Sequence, residues 1–441
     1  MSSAPSAQRR VVITGMGLIC PLGNTPDEMW AGLRSRTNGI AQIEQFDPSA
    51  LPAAYAGEAK AFTGHISEFG DLQPDQKKAI RKGLKTICRE AQMGIAAAQL
   101  AMQHGNVIPG EFDPEQTGAV FGSDFMVSLP QDFLDSCKLC LTPDGDFDYQ
   151  QWSERGLPAL NPLWLLKYLP NMPAAHLSMY NDLRGPNNSI TIREASSNLA
   201  TCEAARIIAR GHAERMIAGA TGTWIHPLKT VQAVLQYELA TNDVAAEVAS
   251  RPFDRDRSGM VLGEGAGVIV LEEEETATKR GLPVFGRFLG AGASQVTNKN
   301  LVADRRAAVK NAMVAALRDA GLKPEQIGHV NAHGEGTRHG DAEEAAAIQD
   351  VFSDCPQVPV FSAKGNFGNL GAGCGLVETI ASVRAINEGV LPPTRNFAAA
   401  DDGCNLNVVH TDDVPAGDTF LNVNVTQQGQ ASCVIFGRAD S

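Results

Sequence analysis

The chain has 441 residues, 43% of them hydrophobic and 20% charged, so it is long enough to bury one large core or several ordinary ones. Its 50 acidic and 37 basic residues give a formal net charge of −13, which argues against nucleic acid or an anionic membrane as a main partner. No stretch is apolar over enough residues to span a bilayer, so we expect no membrane insertion.

In chain order, strand-like apolar runs at residues 11–14, 118–121 and 268–271 alternate with helical patterns at residues 87–102 and 307–320. A chain in which strand-like apolar runs alternate with helical apolar patterns is predicted to layer helices on a sheet. The sequence therefore predicts a layered α/β architecture.

A basic cluster lies at residues 77–85, within a helical pattern. It supplies five positive charges in an otherwise acidic chain: Lys77, Lys78, Arg81, Lys82 and Lys85. On charge alone, a solvated helix face is the more common explanation of such a run.

The stretch at residues 129–158 is weakly patterned, aromatic and acidic, which predicts an elaborated loop. An ordinary surface loop is the simpler interpretation. The alternatives are a segment that shapes a substrate tunnel or a dimer contact.

Nine cysteines are scattered along the chain without framework spacing, and we recognise no export signal. An odd number of thiols in this arrangement is typical of a protein of the reducing cytoplasm. Cys137 and Cys140 have the spacing of a zinc or redox pair, but the chain has no second pair and no histidine close to them. We interpret them as ordinary thiols and expect neither a metal nor a cofactor.

The segment at residues 185–209 predicts a short strand, a tight turn and a long, largely apolar helix. Small residues follow the turn, so Glu194 projects near the N-terminus of the helix, where unpaired backbone N–H groups favour an anion. At this position a nucleophile elbow presents a thiolate, and here it presents a carboxylate. Burying a carboxylate is costly unless it is paired, so for a Glu194 that only fills the pocket the alternatives are a salt bridge to Arg193 or a hydrogen bond to His333.

Several short motifs follow one another along the chain in a specific order. They are Arg10-Val-Val-Ile-Thr-Gly-Met-Gly, Pro170-Asn-Met, Gly185-Pro, Arg251-Pro-Phe-Asp-Arg-Asp-Arg-Ser-Gly-Met-Val-Leu-Gly-Glu-Gly-Ala-Gly, Val330-Asn-Ala-His-Gly and Lys364. On these motifs the chain resembles the beta-ketoacyl-acyl carrier protein synthases of the type II family, the condensing enzymes of fatty acid and polyketide synthesis. The resemblance covers nearly the whole chain.

The resemblance implies an α/β chain with the thiolase-like five-layer αβαβα fold, built from two similar halves. We expect an N-terminal half at residues 1–275, which carries the nucleophile elbow, and a C-terminal half at residues 276–441. The resemblance also implies a dimer in the cytoplasm and an acyl carrier protein that docks on the basic cluster.

Active members of this family use a cysteine and two histidines. On the family's pattern the cysteine position holds Glu194, the first histidine is retained as His333, and the second falls on Asn369. A carboxylate replaces a thiolate poorly in acyl transfer, because its acylated form would be a reactive anhydride. We therefore do not expect condensation by this chain alone.

At other positions the chain either departs from the family's residue pattern or retains it. The threonine pair that binds pantetheine becomes Glu335 and Thr337, and the gating loop is replaced by a stretch that contains Gln427, Gln428 and Gly429. The charged groups around the reacting centre are retained: Lys364, Asp341, Glu344 and Glu378.

Three hypotheses follow. The first is a chain-length-factor-like protein, without its own nucleophile, that pairs with an active ketosynthase. The second is an enzyme of altered acyl-thioester chemistry, a decarboxylase, dehydratase or hydrolase, with Glu194 as general base and His333 and Asn369 as hydrogen-bond donors. The third is a non-catalytic binder of acyl chains or carrier protein. Homodimer and heterodimer both stay open.

Overall fold

The computed structural model of the protein describes residues 9–439. Its strands are β1 (Val11–Ile19), β2 (Ile40–Gln42), β3 (Tyr55–Gly57), β4 (Thr117–Ser123), β5 (Asn187–Thr191), β6 (Arg215–Thr223), β7 (Leu262–Glu273), β8 (Gly286–Gln295), β9 (His329–Asn331), β10 (Val360–Phe361), β11 (Val390–Leu391), β12 (Val414–Pro415), β13 (Thr419–Val425) and β14 (Gln430–Gly437). Its α-helices are α1 (Pro26–Arg34), α2 (Pro74–Gly83), α3 (Arg89–His104), α4 (Gln131–Lys138), α5 (Leu157–Ala159), α6 (Met172–Asn181), α7 (Ser196–Ala209), α8 (Pro227–Gln236), α9 (Ala246–Ala249), α10 (Glu274–Arg280), α11 (Arg305–Ala320), α12 (Arg338–Val351), α13 (Lys364–Phe367) and α14 (Cys374–Glu388).

The sheet topology repeats once along the chain. The first part contributes strands in the order β1, β7, β6, β4, β5, and the second part repeats this order with β8, β14, β13, β9, β10. β1 and β8 connect the two parts through two antiparallel pairs, Val12 with Arg287 and Ile13 with Gly286. The chain therefore has two similar halves, as the resemblance implies, while the exact boundary between residues 275 and 276 stays a prediction.

Helices cover both sheets and fill the space between them. α3 and α6 lie on the outer face of the first sheet, α7 and α14 lie between the sheets, and α11 and α12 lie on the far side of the second. Alternation along β7 supports this arrangement: Val268 and Val270 join the core under α3, whereas Ile269 and Leu271 join the central core with α7 and α14. These layers make up the expected thiolase-like five-layer αβαβα fold.

The predicted strands and helices are confirmed as elements. β1, β4 and β7 contain the three apolar runs, and α11 covers the second helical pattern. α3 overlaps the first pattern but begins at Arg89, two residues later than predicted. Within residues 9–439, no helix combines the length and apolar character needed to cross a membrane.

The loop expected at residues 129–158 is more ordered than predicted. It contains α4 and a π-helical turn, Trp152–Gly156, that leads into α5. Aromatic contacts hold it, since the Phe147 and Trp152 rings lie 6.2 Å apart and the Phe133 and Trp164 rings 5.1 Å apart. Tertiary packing of this kind overrides weak local propensity.

Candidate active site

Glu194 lies in the tight turn that connects β5 to α7, as the sequence predicts. The turn is a single 3-10 turn, Arg193–Ala195, and Glu194 is 3% exposed. Arg193 has a φ of +43°, a left-handed conformation that is costly for a residue with a side chain. The Ser196 hydroxyl accepts from the Ile192 backbone N–H at 2.7 Å and so holds the turn closed. The elbow is therefore built, with a carboxyl group at its apex.

Asn369 is the side-chain hydrogen-bond partner of Glu194 among the described residues. Its Nδ2 donates to Glu194 Oε1 at 3.3 Å. The amide is oriented from the other end, because Asn369 Oδ1 accepts from the Gly371 backbone N–H at 2.9 Å and from the Cys374 thiol at 3.3 Å. The acid thus faces a neutral donor rather than a cation.

Burial sets the protonation of Glu194. Loss of solvent, with the nearby carboxyl groups of Asp124 and Glu335, raises the pKa of Glu194 from 4.5 to about 7. The elbow therefore holds an acid that titrates close to neutral pH, whereas acyl transfer in the resembled family requires a thiolate.

The expected pairing of Glu194 with Arg193 is wrong. The Arg193 guanidinium lies toward Asp124, with Nε 3.8 Å from Oδ1, and over the Phe125 and Tyr237 rings at 5.2 and 5.8 Å. Consecutive side chains of a turn project in different directions, so Arg193 reaches this aromatic surface instead of its neighbour.

His333 follows β9, and the expected pairing of its ring with Glu194 is also wrong. His333 is 1% exposed, and Nε2 lies 3.3 Å from Glu335 Oε2, while Nδ1 has no hydrogen-bond partner among residues 9–439. Burial, together with the nearby Lys364 cation, lowers the pKa of His333. The imidazole is therefore neutral and has one unused nitrogen.

Glu335 and Thr337, the pair predicted for pantetheine, bond to each other. Thr337 Oγ1 donates to Glu335 Oε1 at 3.1 Å, and Arg305 Nη2 donates to the same oxygen at 3.0 Å. Burial opposes the charge, but Arg305 and His333 hold the pKa of Glu335 well below its usual range. Arg305 and Thr337 also line a surface pocket of about 300 Å³. Arg305, which pairs with the buried Glu335, therefore forms part of the wall of this pocket.

The four retained charged groups are buried around the backbone segment 333–336. Lys364 pairs with Glu378 and donates to the carbonyl of the first residue of this segment at 2.6 Å. The Glu344 carboxylate accepts hydrogen bonds from the first two backbone N–H groups of the segment, at 2.6 and 2.8 Å. The Asp341 carboxylate accepts from the last two, at 3.0 and 3.1 Å. Burial raises the pKa of Glu344 to about 8 and that of Asp341 to about 7. These groups fix the loop rather than face a substrate.

The replaced gating stretch, Gln427, Gln428 and Gly429, is the tight turn between β13 and β14. Gly429 has a φ of +75°, and the Thr426 backbone N–H donates to the Gln430 carbonyl at 2.9 Å across the turn. Gln427 lines the surface pocket that Arg305 and Thr337 also line. The turn therefore reaches this pocket through Gln427, and its correspondence to a gate stays a prediction.

The basic cluster lies on α2 and the 3-10 turn Leu84–Thr86 that follows it. All five of its side chains are exposed, and within residues 9–439 none has a carboxylate within 4.0 Å. They line a shallow groove of about 450 Å³ together with Pro74. The structure therefore keeps these charges available on one surface.

Sequence reasoning missed the groups that contact the elbow from other elements. Asp124 follows β4, and its Oδ2 lies 3.6 Å from the ammonium of Lys229 in α8. Cys374 begins α14, and burial raises the pKa of its thiol, which donates to Asn369. In the sequence these residues stand out only as charged or thiol side chains inside apolar stretches. That pattern does not show that they contact the turn of Glu194.

Family models match two segments of the chain. Residues 8–277 match the beta-ketoacyl synthase N-terminal domain, and residues 285–398 match the beta-ketoacyl synthase C-terminal domain. The chain belongs to the beta-ketoacyl synthase family.

Relatives within this family resemble the chain over most of its length. A 3-oxoacyl-[acyl-carrier-protein] synthase 2 of Vibrio cholerae is 34% identical over 406 residues, 91% of this chain and 92% of the relative. The protein of the same name from Synechocystis is 32% identical over 407 residues, 91% of each chain.

Two solved structures of the family have the same fold. A beta-ketoacyl synthase from Burkholderia phymatum superposes with a TM-score of 0.84 at 25% identity, and the ishigamide ketosynthase/chain length factor with 0.81 at 26% identity. Each comparison covers 98% of this chain and 100% of the solved chain.

Proposed function

We propose that this beta-ketoacyl synthase-family protein works in fatty acid or polyketide biosynthesis as a chain-length-factor-like partner of an active synthase, without condensing acyl chains by itself. One observation carries the proposal. The elbow presents Glu194, a buried acid bonded to Asn369, where condensation needs a thiolate. Two of its relatives are named 3-oxoacyl-[acyl-carrier-protein] synthase 2, and one structural neighbour is a ketosynthase/chain length factor.

The entrance supports the proposal. A pantetheine arm that entered through the pocket of Arg305 and Thr337 would contact Arg305, whose guanidinium is paired with Glu335. Separating a buried ion pair costs several kcal/mol, on the order of 3–5. This chain therefore discourages entry of its own substrate arm but keeps the family scaffold intact.

An exposed sheet edge supports a dimer. β5 pairs with β4 on one side and has no strand on the other within the described residues. Large apolar side chains are exposed on the nearby segment 129–179, among them Leu134, Leu163, Leu165 and Met179. An unpaired edge beside apolar surface is typical of an interface between subunits.

The basic cluster supports docking of an acyl carrier protein. Its five exposed cations lack carboxylate partners within residues 9–439, although the chain as a whole is acidic. Such a patch attracts an acidic protein to one site on a surface that otherwise repels it.

Mass spectrometry tests the proposal. The purified chain is incubated with acyl-loaded and malonyl-loaded carrier protein, beside an active type II synthase as the positive control. We expect no acyl adduct and no condensation product from this chain. An adduct that maps to Glu194 and turns over would contradict the proposal.

One observation favours an enzyme of altered chemistry as the second candidate. The pKa of Glu194 is raised to about 7, the range in which a general base works best near neutral pH. Any turnover of acyl carrier protein substrates by the purified chain should then fall about a hundredfold or more in Glu194→Gln. Bound lipid without turnover or a partner synthase would favour the non-catalytic binder instead.

A further inference from the structure

A polar pocket of about 360 Å³ lies at the starts of β4 and β6. Thr117 and Arg215, the first residues of these parallel strands, pair with each other in the sheet and line the pocket. The elbow that carries Glu194 lies at the other end, because the Ser196 hydroxyl donates to the carbonyl of Ser123, the last residue of β4. The seven residues of β4 span about 20 Å, so the pocket is separate from the candidate active site.

The two arginines that line the pocket share one buried carboxylate. Arg215 Nε lies 3.0 Å from Glu272 Oε1, and Arg280 Nη1 contacts the same oxygen. Thr14 Oγ1 donates to Glu272 at 2.9 Å, and Arg280 also donates to the Gly105 carbonyl at 3.1 Å. Neither arginine has a second carboxylate within 4.0 Å among residues 9–439. Because arginine keeps its charge in proteins, this cluster carries at least one positive charge in excess.

Arg215 has more donors than acceptors. Its side chain is 6% exposed, and a guanidinium carries five N–H groups. Its acceptors within residues 9–439 are the Glu272 carboxylate and Thr117 Oγ1, the latter at 3.4 Å. The Phe112 ring lies over the guanidinium at 5.6 Å and shields that face from water. Buried donors without acceptors cost free energy, so a ligand oxygen in the pocket would stabilise the site.

Another part of the pocket is lined by carboxylates. Glu111 and Glu214 are exposed and form no ion pair in the described part of the chain, so each lies more than 4.0 Å from the nitrogens of Arg215 and Arg280. Asp113 lines the pocket too, and its carboxylate accepts from the backbone of the following turn. A ligand with a single charge would be attracted by one part of the pocket and repelled by the other. A zwitterion complements both parts.

The remaining wall is apolar. Val107 and Ile108, in the segment after α3, line it. An aliphatic group of a ligand loses contact with water when it packs against these side chains. The pocket volume is within the range of sites that hold small organic molecules. These features describe a small zwitterion with an aliphatic group.

We propose that this pocket binds a free aliphatic α-amino acid. Its carboxylate accepts from Arg215 and Arg280, because planar guanidinium groups match the geometry of a carboxylate. Its ammonium group contacts Glu111 and Glu214, and its side chain lies along the apolar wall. The site does not depend on the proposed partnership with a synthase, since it lies at the opposite end of the sheet from Glu194.

Calorimetric titration of the full chain with L-leucine tests the proposal. The matched analogues are isocaproate, which lacks the ammonium group, and isoamylamine, which lacks the carboxylate. We expect L-leucine to bind at least about tenfold more tightly than either analogue, because each analogue leaves one charged contact unmade. Equal affinity for L-leucine and one analogue, or no binding of L-leucine at millimolar concentration, would overturn the proposal.

A double variant tests recognition of the ammonium group. Glu111→Gln with Glu214→Gln should weaken binding of L-leucine about tenfold or more and should not weaken binding of isocaproate. The control, Glu154→Gln with Glu325→Gln, changes the net charge equally at two exposed carboxylates outside the pocket. Equal losses of L-leucine affinity in the two double variants would contradict a contact with Glu111 and Glu214.

A bulky substitution locates the binding. Thr276 of α10 lines the pocket, so Thr276→Trp should abolish binding of L-leucine by filling the space. Thr278→Trp is the matched control, because Thr278 lies two residues further along the same helix and outside the pocket. This control should leave the affinity unchanged. Unchanged affinity in folded Thr276→Trp would refute the site.

Discussion

At the scale of single residues, Glu194 combines two opposing influences. The N-terminal end of α7 favours an anion, while burial and the neighbouring carboxyl groups disfavour one. Because its partner Asn369 is neutral, burial prevails and the acid holds its proton until about neutral pH. The side chain therefore destabilises the fold once it is ionised.

The first prediction concerns the pH dependence of this cost. Between pH 4.5 and about 7, the unfolded chain releases the Glu194 proton before the folded chain does, so stability falls as pH rises through this window. Glu194→Gln removes the ionisation and keeps an acceptor for Asn369. The variant should be more stable than the parent by about 2–3 kcal/mol near pH 8 and by less than about 1 kcal/mol near pH 5.

Urea unfolding at the two pH values measures this difference. Glu154→Gln is the control, because Glu154 is an exposed carboxyl group outside any ion pair among residues 9–439. If the stability gained in Glu194→Gln is the same at both pH values, the pKa of Glu194 is not raised by burial.

The sequence predicted the turn that carries Glu194 but not the residue that contacts it. The sequence predicted the elbow, because a strand, a turn and an apolar helix have local signatures. It did not predict that Asn369 rather than Arg193 or His333 contacts Glu194. That contact joins residues 175 positions apart, and its distance depends on how two helices are packed.

At the scale of elements, the Lys364–Glu378 ion pair joins α13 to α14. Both side chains are at most 1% exposed, and Asn424 also donates to Glu378 at 2.9 Å. The backbone carbonyl of His333 accepts from the same lysine at 2.6 Å. The pair therefore connects three elements around the candidate site.

The second prediction follows from this pair. Lys364→Met leaves Glu378 buried without its cation, so the free energy of unfolding should fall by about 3–5 kcal/mol. Lys279→Met is the matched control, because Lys279 and Glu275 form an ion pair at 75% and 78% exposure. The control should change stability by less than about 0.5 kcal/mol in the same denaturant titration. Equal effects would mean that the buried pair has no special role.

The third prediction concerns α2. Replacing Lys78, Arg81 and Lys82 by glutamate should weaken binding of acyl carrier protein about tenfold or more and reduce the salt dependence of binding. The measurement is a titration at two ionic strengths.

The control for α2 is reversal of three other exposed cations without ion pairs in the described chain, Arg210, Arg318 and Lys323. The control changes the net charge by the same amount. If α2 is a specific docking surface, the α2 variant should lose more affinity for acyl carrier protein than the control does. Equal losses would leave α2 as a solvated helix face.

Helices with an apolar pattern over several turns could be predicted from the sequence. Short helices that depend on tertiary packing could not. The helical patterns of α3 and α11 extend over many turns, so their period identified them. The segment 129–158 has short helices held by aromatic contacts such as Phe147 with Trp152. Such contacts are not visible in local propensity.

At the scale of the whole molecule, the fourth prediction concerns assembly. We expect the chain to form a dimer through β5 and the exposed apolar segment 129–179. Leu163→Gln with Leu165→Gln should shift the mass measured by light scattering toward the monomer, because these leucines are about half exposed, at 50% and 53%. The control, Leu301→Gln, changes an 85% exposed leucine elsewhere. An unchanged dimer would place the interface on another surface.

The repeated topology determines how the candidate site comes into existence. α7 and α14 occupy equivalent positions in the two halves, and the turns that precede them, Arg193–Ala195 and Gly371–Gly373, contact each other. Glu194 belongs to the first half and its partner Asn369 to the second, so the first half alone does not contain the site. Because the pKa of Glu194 rises from 4.5 to about 7 in the complete fold, folding between these pH values is coupled to proton uptake.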